Sequence, residues 1–115
     1  MSDAAEPTPL EIRSRGVVLS SRERAETERA FWFTLGKYQP ALRRAVVTLS
    51  VANGDEPGWL SCQVSAVDRS GSLLFVEGAD RDVATCVART FGRAEREMRR
   101  RASALRRCMS QRAGT

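Results

Sequence analysis

Between Asp80 and Arg107 apolar residues return every three or four positions, and arginines fill the positions opposite. At about 100° per residue, Val83, Val87, Phe91, Ala94, Met98 and Leu105 fall within about 40° of one line, while Arg89, Arg93, Arg96, Arg100 and Arg107 point away from it. This pattern predicts one long amphipathic helix, opened by Asp80 as N-cap. Arg101 falls back onto the apolar stripe. The register therefore weakens past Arg100, which predicts that the helix end leaves its packing surface and that Ser110 to Thr115 form a loose tail.

Upstream the dominant period is two. Leu10 to Arg15 alternates apolar and polar residues, Ala45 to Ala52 places Val47, Leu49 and Val51 on one face, and Trp59 to Asp68 sets Leu60, Cys62, Val64 and Ala66 against Ser61, Gln63 and Ser65. With Ser72 to Glu77 these make four strands. Asn53-Gly54-Asp55-Glu56-Pro57-Gly58 and Arg69-Ser70-Gly71 are the turns between the last three. Between the first two strands, Ser20 followed three residues later by Glu23 forms a capping box. It opens a helix that runs to Leu35, closes on Gly36 as a left-handed cap, and cannot continue through Lys37-Tyr38-Gln39-Pro40. Phe31, Trp32 and Phe33 are consecutive, so they span about 200° of helix and at least one ring must lie at the rim. That ring either covers a sheet edge or stacks on a base or a partner protein.

The order strand, helix, three strands, helix predicts an α+β fold, βαβββα. A right-handed crossover makes the first two strands parallel, hairpins add the others, and both helices pack on one face of a four-stranded mixed sheet. The opposite face is expected to be comparatively polar and solvated. At 115 residues there is room for one domain. Residues 10–101 form it, 1–9 read as a flexible N-terminal segment, and 102–115 as a basic C-terminal extension.

Charge sharpens the picture. The chain carries a net +5, yet Arg81 to Arg112 holds ten arginines against Asp82, Glu95 and Glu97, so this segment alone is at +7. Basic charge on one outer helix face makes a polyanion-binding surface, and planar guanidinium forks match phosphate well. Nucleic acid is the leading partner.

Catalytic chemistry has little to draw on. The chain has no histidine, which removes the usual general base, the Ser-His and Cys-His nucleophile pairs and the commonest transition-metal ligand. Cys62, Cys86 and Cys108 show neither CxxC spacing nor a disulfide framework, and no glycine-rich phosphate loop is present. Glu23, Glu26 and Glu28 are explained by pairing with arginines one turn away. The expectation is a protein that is not an enzyme, with no cofactor, no metal site and no small-molecule substrate. Met1 to Pro9 lacks a basic and an apolar region, so no secretion signal is expected. No run is long enough to span a bilayer. Cytoplasmic localisation follows.

From about Leu10 to Arg101 the chain resembles the ribosome hibernation-promoting factor and ribosome-associated inhibitor family, also called sigma-54 modulation proteins. The resemblance rests on Leu19-Ser20 opening the first helix, Phe33-Thr34-Leu35-Gly36-Lys37-Tyr38 closing it, and Pro40-Ala41-Leu42-Arg43-Arg44 leading into a valine-rich strand. Val76-Glu77 before Asp80, and the spacing of Val83 and Val87, belong to the same pattern. It implies a fold similar to double-stranded-RNA-binding domains. It also implies a translation inhibitor that docks in the mRNA–tRNA channel of the small ribosomal subunit, meets 16S rRNA phosphates and blocks the A and P sites. The matching basic positions are Arg89, Arg93, Arg96 and Arg100 on the second helix, Lys37, Arg43 and Arg44 at the turn after the first, and Arg22 and Arg29 on the first. The chain departs from the family where Glu23 and Thr27 replace aliphatic residues, which predicts a first helix either rotated or loosely held at its start. It resembles a short form without the family's C-terminal dimerisation domain. Two other readings remain open: a protein-interaction or regulatory module that kept the fold without ribosome binding, and a general RNA-binding domain acting off the ribosome.

Overall fold

The computed structural model describes residues 9–52 and 58–113, with the side chains at 105 and 109–113 outside the description. Five strand and helix elements carry the N-terminal and central parts: β1 (Leu10–Arg15), α1 (Ser21–Leu35), β2 (Leu42–Val51), β3 (Leu60–Asp68) and β4 (Leu73–Asp80). The last, α2, runs from Val83 to Ala113. The sheet order is β1-β2-β3-β4, with β1 parallel to β2 and the rest antiparallel. This is the expected βαβββα architecture. The period-two pattern sets the register: Ile12 stands opposite Val47, Val47 opposite Val64, and Val64 opposite Val76.

One face of the sheet is apolar and carries both helices. Ala45, Val47, Leu49, Cys62, Val64, Ala66 and Leu74 meet Phe31 and Leu35 of α1 and Cys86, Val87, Phe91 and Ala94 of α2 in one core. Phe31 joins the helices through an edge-on contact with Phe91, with ring centroids 5.5 Å apart. α2 lies close over β4 because Gly78 has no side chain: a Cβ there would run into the Thr90 hydroxyl. Thr90 is fully buried and satisfies that hydroxyl by donating to the Cys86 carbonyl at 2.8 Å.

The start of α1 corrects the expectation drawn from Glu23 and Thr27. The helix is neither rotated nor loose there. Ser20 Oγ accepts from the Glu23 amide at 3.0 Å and Glu23 Oε1 accepts from the Ser20 amide at 2.9 Å, a complete capping box. Thr27 is buried, its hydroxyl donating to the Glu23 carbonyl at 2.8 Å, so a polar residue fills an apolar position without an unmet hydrogen bond.

Other expectations are also corrected. Gly36 has φ −61°, in the right-handed region, and the chain continues as a 3₁₀ segment, Gly36–Ala41, with Pro40 inside it. What holds this turn is Glu95 of α2. Its carboxylate accepts from the Tyr38 hydroxyl at 3.0 Å and pairs with Lys37 at 3.0 Å and Arg99 at 2.7 Å. β4 continues to Asp80, because Gly78, Ala79 and Asp80 pair with Cys62, Ser61 and Leu60. The N-cap of α2 is therefore Asp82, which accepts from the Thr85 amide at 2.9 Å, and not Asp80. Ser110 to Ala113 belong to α2 and are not a loose tail. Arg101 does mark the sheet's end: it pairs with Glu97 and donates to the Leu73 carbonyl at the start of β4. The outer sheet face is polar across Arg13, Thr48, Gln63 and Glu77, but Leu73 and Phe75 of β4 stand exposed on it. The Asn53–Pro57 part of the second turn, the segment before Pro9, the place of Leu105 on the stripe and residues 114–115 lie outside the described residues.

Two measurements test this packing. Gly78→Ala should destabilise the fold by about 1–3 kcal/mol through overpacking, and Thr90→Ala should relieve part of that cost, so urea unfolding of the double variant should show less loss than the two single losses added. Strict additivity would place the close approach elsewhere. Lys37, Arg99 and Tyr38 hold the Glu95 carboxyl down to about 2 from an ordinary 4.5. A depressed folded-state value stabilises the protein above the ordinary value, and the gain is lost as pH falls through the depressed one. Thermal midpoints should place Glu95→Gln below wild type at pH 7, with the gap closing between about pH 4.5 and 2.

Candidate nucleic-acid interface

The stripe that buries Val87, Phe91 and Ala94 fixes what α2 turns outward. Arg89, Arg93, Arg96, Arg100 and Arg107 are all exposed and share an arc of about 60°. Successive rises between the first four are about 4.5 to 6 Å at 1.5 Å per residue. α2 runs antiparallel to β4, so the row follows the free edge of the sheet, with Arg89 beside Asp80, Arg93 beside Glu77 and Arg101 beside Leu73.

These guanidinium groups are held in different ways. Arg93 donates to the Glu77 carbonyl at 2.6 Å, a neutral acceptor that fixes its position and leaves its charge intact. Arg89 lies 3.5 Å from the Asp80 carboxylate, and Arg100 is paired with Glu97. Arg100 and Arg101 hold the Glu97 carboxyl below the usual range. Arg96 and Arg107 have no partner among the described residues. The two carboxylate pairs sit at the surface, where such a pair contributes about 0–1 kcal/mol, and a backbone phosphate, which accepts the same bidentate forks, can replace the carboxylate. The row can thus meet a polyanion with Arg93 and Arg96 charged and available, and with Arg89 and Arg100 exchanging partners.

The remaining candidates are scattered. Arg43 and Arg44 are not at a turn: they lie in β2, where the pairing with β3 shifts between Leu42 and Arg44. This irregularity inserts Arg43, and Arg44 then points to the sheet face opposite the helices, bound to Glu11 at 3.1 Å. The structure does not bring Arg44 together with the α2 row. Lys37 is committed to Glu95. Arg22 pairs with Glu26 one turn on at 3.3 Å. Arg29 is exposed, has no partner among the described residues, and borders the groove between α1 and α2. Arg99 and Arg101 are not among the sequence-derived candidate contacts, although their spacing of four from Glu95 and Glu97 signals the pairs they make.

The aromatic triplet resolves into three roles. Phe31 is core, and Trp32 is half-buried with its ring edge-on to Phe31 at 4.9 Å. Phe33 is 92% exposed. It lines the α1–α2 groove with Arg29, Ala88 and Gly92. Cys62 and Cys86 are buried fillers, burial pushing the Cys62 thiol up to about 12, while Cys108 is exposed. Among the described residues no three His, Cys, Asp or Glu side chains are placed to hold a metal ion, and no helix is long and apolar enough to cross a membrane.

No protein-family model matches this sequence, and no curated protein matches it. Solved structures do. The N-terminal domain of Thermus thermophilus Protein Y superposes with a TM-score of 0.64 at 23% identity, covering 78% of this chain and 93% of that one. A ribosomal subunit interface protein from Coxiella burnetii superposes with a TM-score of 0.72 at 11% identity, covering 84% of this chain and 99% of that one. The four-stranded mixed sheet with two helices is therefore the fold of these two proteins.

Proposed function

We propose that this protein is a non-enzymatic, cytoplasmic ribosome hibernation factor. It binds small-subunit 16S rRNA in the mRNA–tRNA channel and keeps the A and P sites closed to mRNA and tRNA. The observation that carries this reading is the exposed arginine row on α2, set on a fold shared with a ribosomal subunit interface protein. The binding is mainly phosphate contact and shape fit, with Arg93 and Arg96 as the central contacts, Arg89 and Arg100 flanking them, and Arg29 across the groove. Lys37 acts indirectly by holding the 3₁₀ turn against α2, and Arg22, Arg43 and Arg44 are outlying charges.

The rival reading, an interaction module without ribosome binding, rests on Glu23, Thr27 and the exposed aromatics. Glu23 and Thr27 have structural roles at the start of α1, in the cap and in the core, so neither argues for a changed function, which leaves the exposed Phe33 ring as its support.

Reversing Arg93 and Arg96 to Glu should abolish co-sedimentation with purified small subunits. Arg96→Glu alone breaks no bond with a described residue and should weaken binding with its thermal midpoint near wild type. With about six phosphate contacts, wild-type affinity should fall about a thousandfold between roughly 50 and 200 mM salt. Undiminished sedimentation of the double variant would remove the arginine face from the interface, and equal competition by bulk double-stranded RNA would favour a general RNA binder.

A further inference from the structure

We propose that the groove between α1 and α2 is a binding site for one unstacked nucleobase, with the Phe33 ring as its stacking platform. The inference rests on the RNA-binding reading above and adds to it a contact that is not a phosphate contact.

Three observations converge on this groove. Burying a phenylalanine ring stabilises a fold by about 1.5–3 kcal/mol, yet Phe33 is 92% exposed while its neighbours Phe31 and Trp32 pack inward. The facing wall on α2 is Ala88 and Gly92, and a Cβ built on Gly92 would find nothing nearer than Arg96 Nη1 at 3.9 Å. Glycine inside a helix costs about 1 kcal/mol relative to alanine. No packing contact requires it here, and its effect is an open wall opposite an exposed ring. The third observation is charge. Arg29, four residues before Phe33, and Arg96, one turn after Gly92, flank the groove, and neither has a partner among the described residues.

These features select the occupant. Glu28 also lines the α1 wall, so the groove is not a bare anion site; a purely apolar protein segment would not use the two unpaired guanidinium groups at its rim, and a bare phosphate would not use the ring. A nucleotide of a single-stranded segment uses both: its base stacks on Phe33 against the open Gly92 wall, while the phosphates on either side lie toward Arg29 and Arg96. Every base has a π face, so the site is sequence-tolerant. It works beside the α2 row, which Arg96 joins to the groove.

The test is the affinity of the full chain for purified small subunits at two salt concentrations, with Phe33→Ala, Phe33→Leu, Phe33→Trp and Gly92→Leu. Phe33 is exposed, so none of its variants threatens the fold. Loss of a stacked base should weaken Phe33→Ala and Phe33→Leu on the order of tenfold, with the salt slope unchanged because no phosphate contact is lost. Phe33→Trp should bind at least as well as wild type. Gly92→Leu should weaken binding by blocking the wall while raising the thermal midpoint. Wild-type affinity in Phe33→Ala, alongside lost binding in the Arg93 and Arg96 reversal, overturns the base site and leaves the arginine reading standing. Wild-type affinity in Phe33→Leu marks an apolar contact with a ribosomal protein and also overturns stacking. A loss in Phe33→Ala with no effect of the reversal overturns the site as drawn, because Arg96 belongs to the groove as well as to the row.

Discussion

The close seating of α2 on β3 and β4 is the constraint on which the rest depends. A helix of 31 residues cannot hold one face toward solvent by its own sequence. It does so here because Val87, Phe91 and Ala94 are locked into the sheet, and because Gly78 lets Thr90 and the helix backbone come down onto β4. The same contact decides which residues are interior and which are available. The helix backbone fixes where these side chains start, while an arginine such as Arg96, unpaired among the described residues, still gives up rotamer freedom when it meets a ligand. Arg93 is oriented in advance by the Glu77 carbonyl, which leaves its charge intact.

That arrangement also explains why so basic a surface does not unfold its own edge. β4 is an edge strand with free carbonyls, and Arg93 and Arg101 cover two of them, at Glu77 and Leu73. The arginines thus occupy groups that would otherwise invite another strand. Asp80 and Glu97 screen repulsion within the row. They are weak surface partners, so they hold the free protein together without competing strongly with phosphate. In the proposed function, the side chains that pair with Asp80 and Glu97 in the free protein are the ones that would meet phosphate.

Much of this was legible in the chain. Strand β1 has the bounds its alternation predicts, the Ser20–Glu23 capping box forms, and the α2 stripe separates buried from exposed residues as its period requires. What was not legible depended on partners distant in sequence. Gly78-Ala79-Asp80 has poor strand propensity, yet it is strand because β3 extends alongside it, and this moves the helix cap from Asp80 to Asp82. Gly36 stays right-handed because Glu95, more than fifty residues away, holds Lys37 and Tyr38. The row of candidate cations was visible as a period, but the separation of Arg44 onto the opposite sheet face depends on an irregularity at Arg43 that no local pattern announces. The triplet of aromatics posed a question of direction that only the packing of Phe31 on Phe91 could answer.

Cys108 offers the most direct test of the central claim, that the outer face of α2 lies on small-subunit rRNA. It is exposed on α2, whereas Cys62 and Cys86 are buried, so an iron chelate can be attached there without other changes. Hydroxyl radicals released from that position in the bound complex should cut the 16S rRNA backbone along the mRNA–tRNA channel, and the cuts should disappear when Arg93 and Arg96 are reversed. Cleavage confined to the outer surface of the subunit, or absent from the rRNA of a complex that still sediments, would contradict the account.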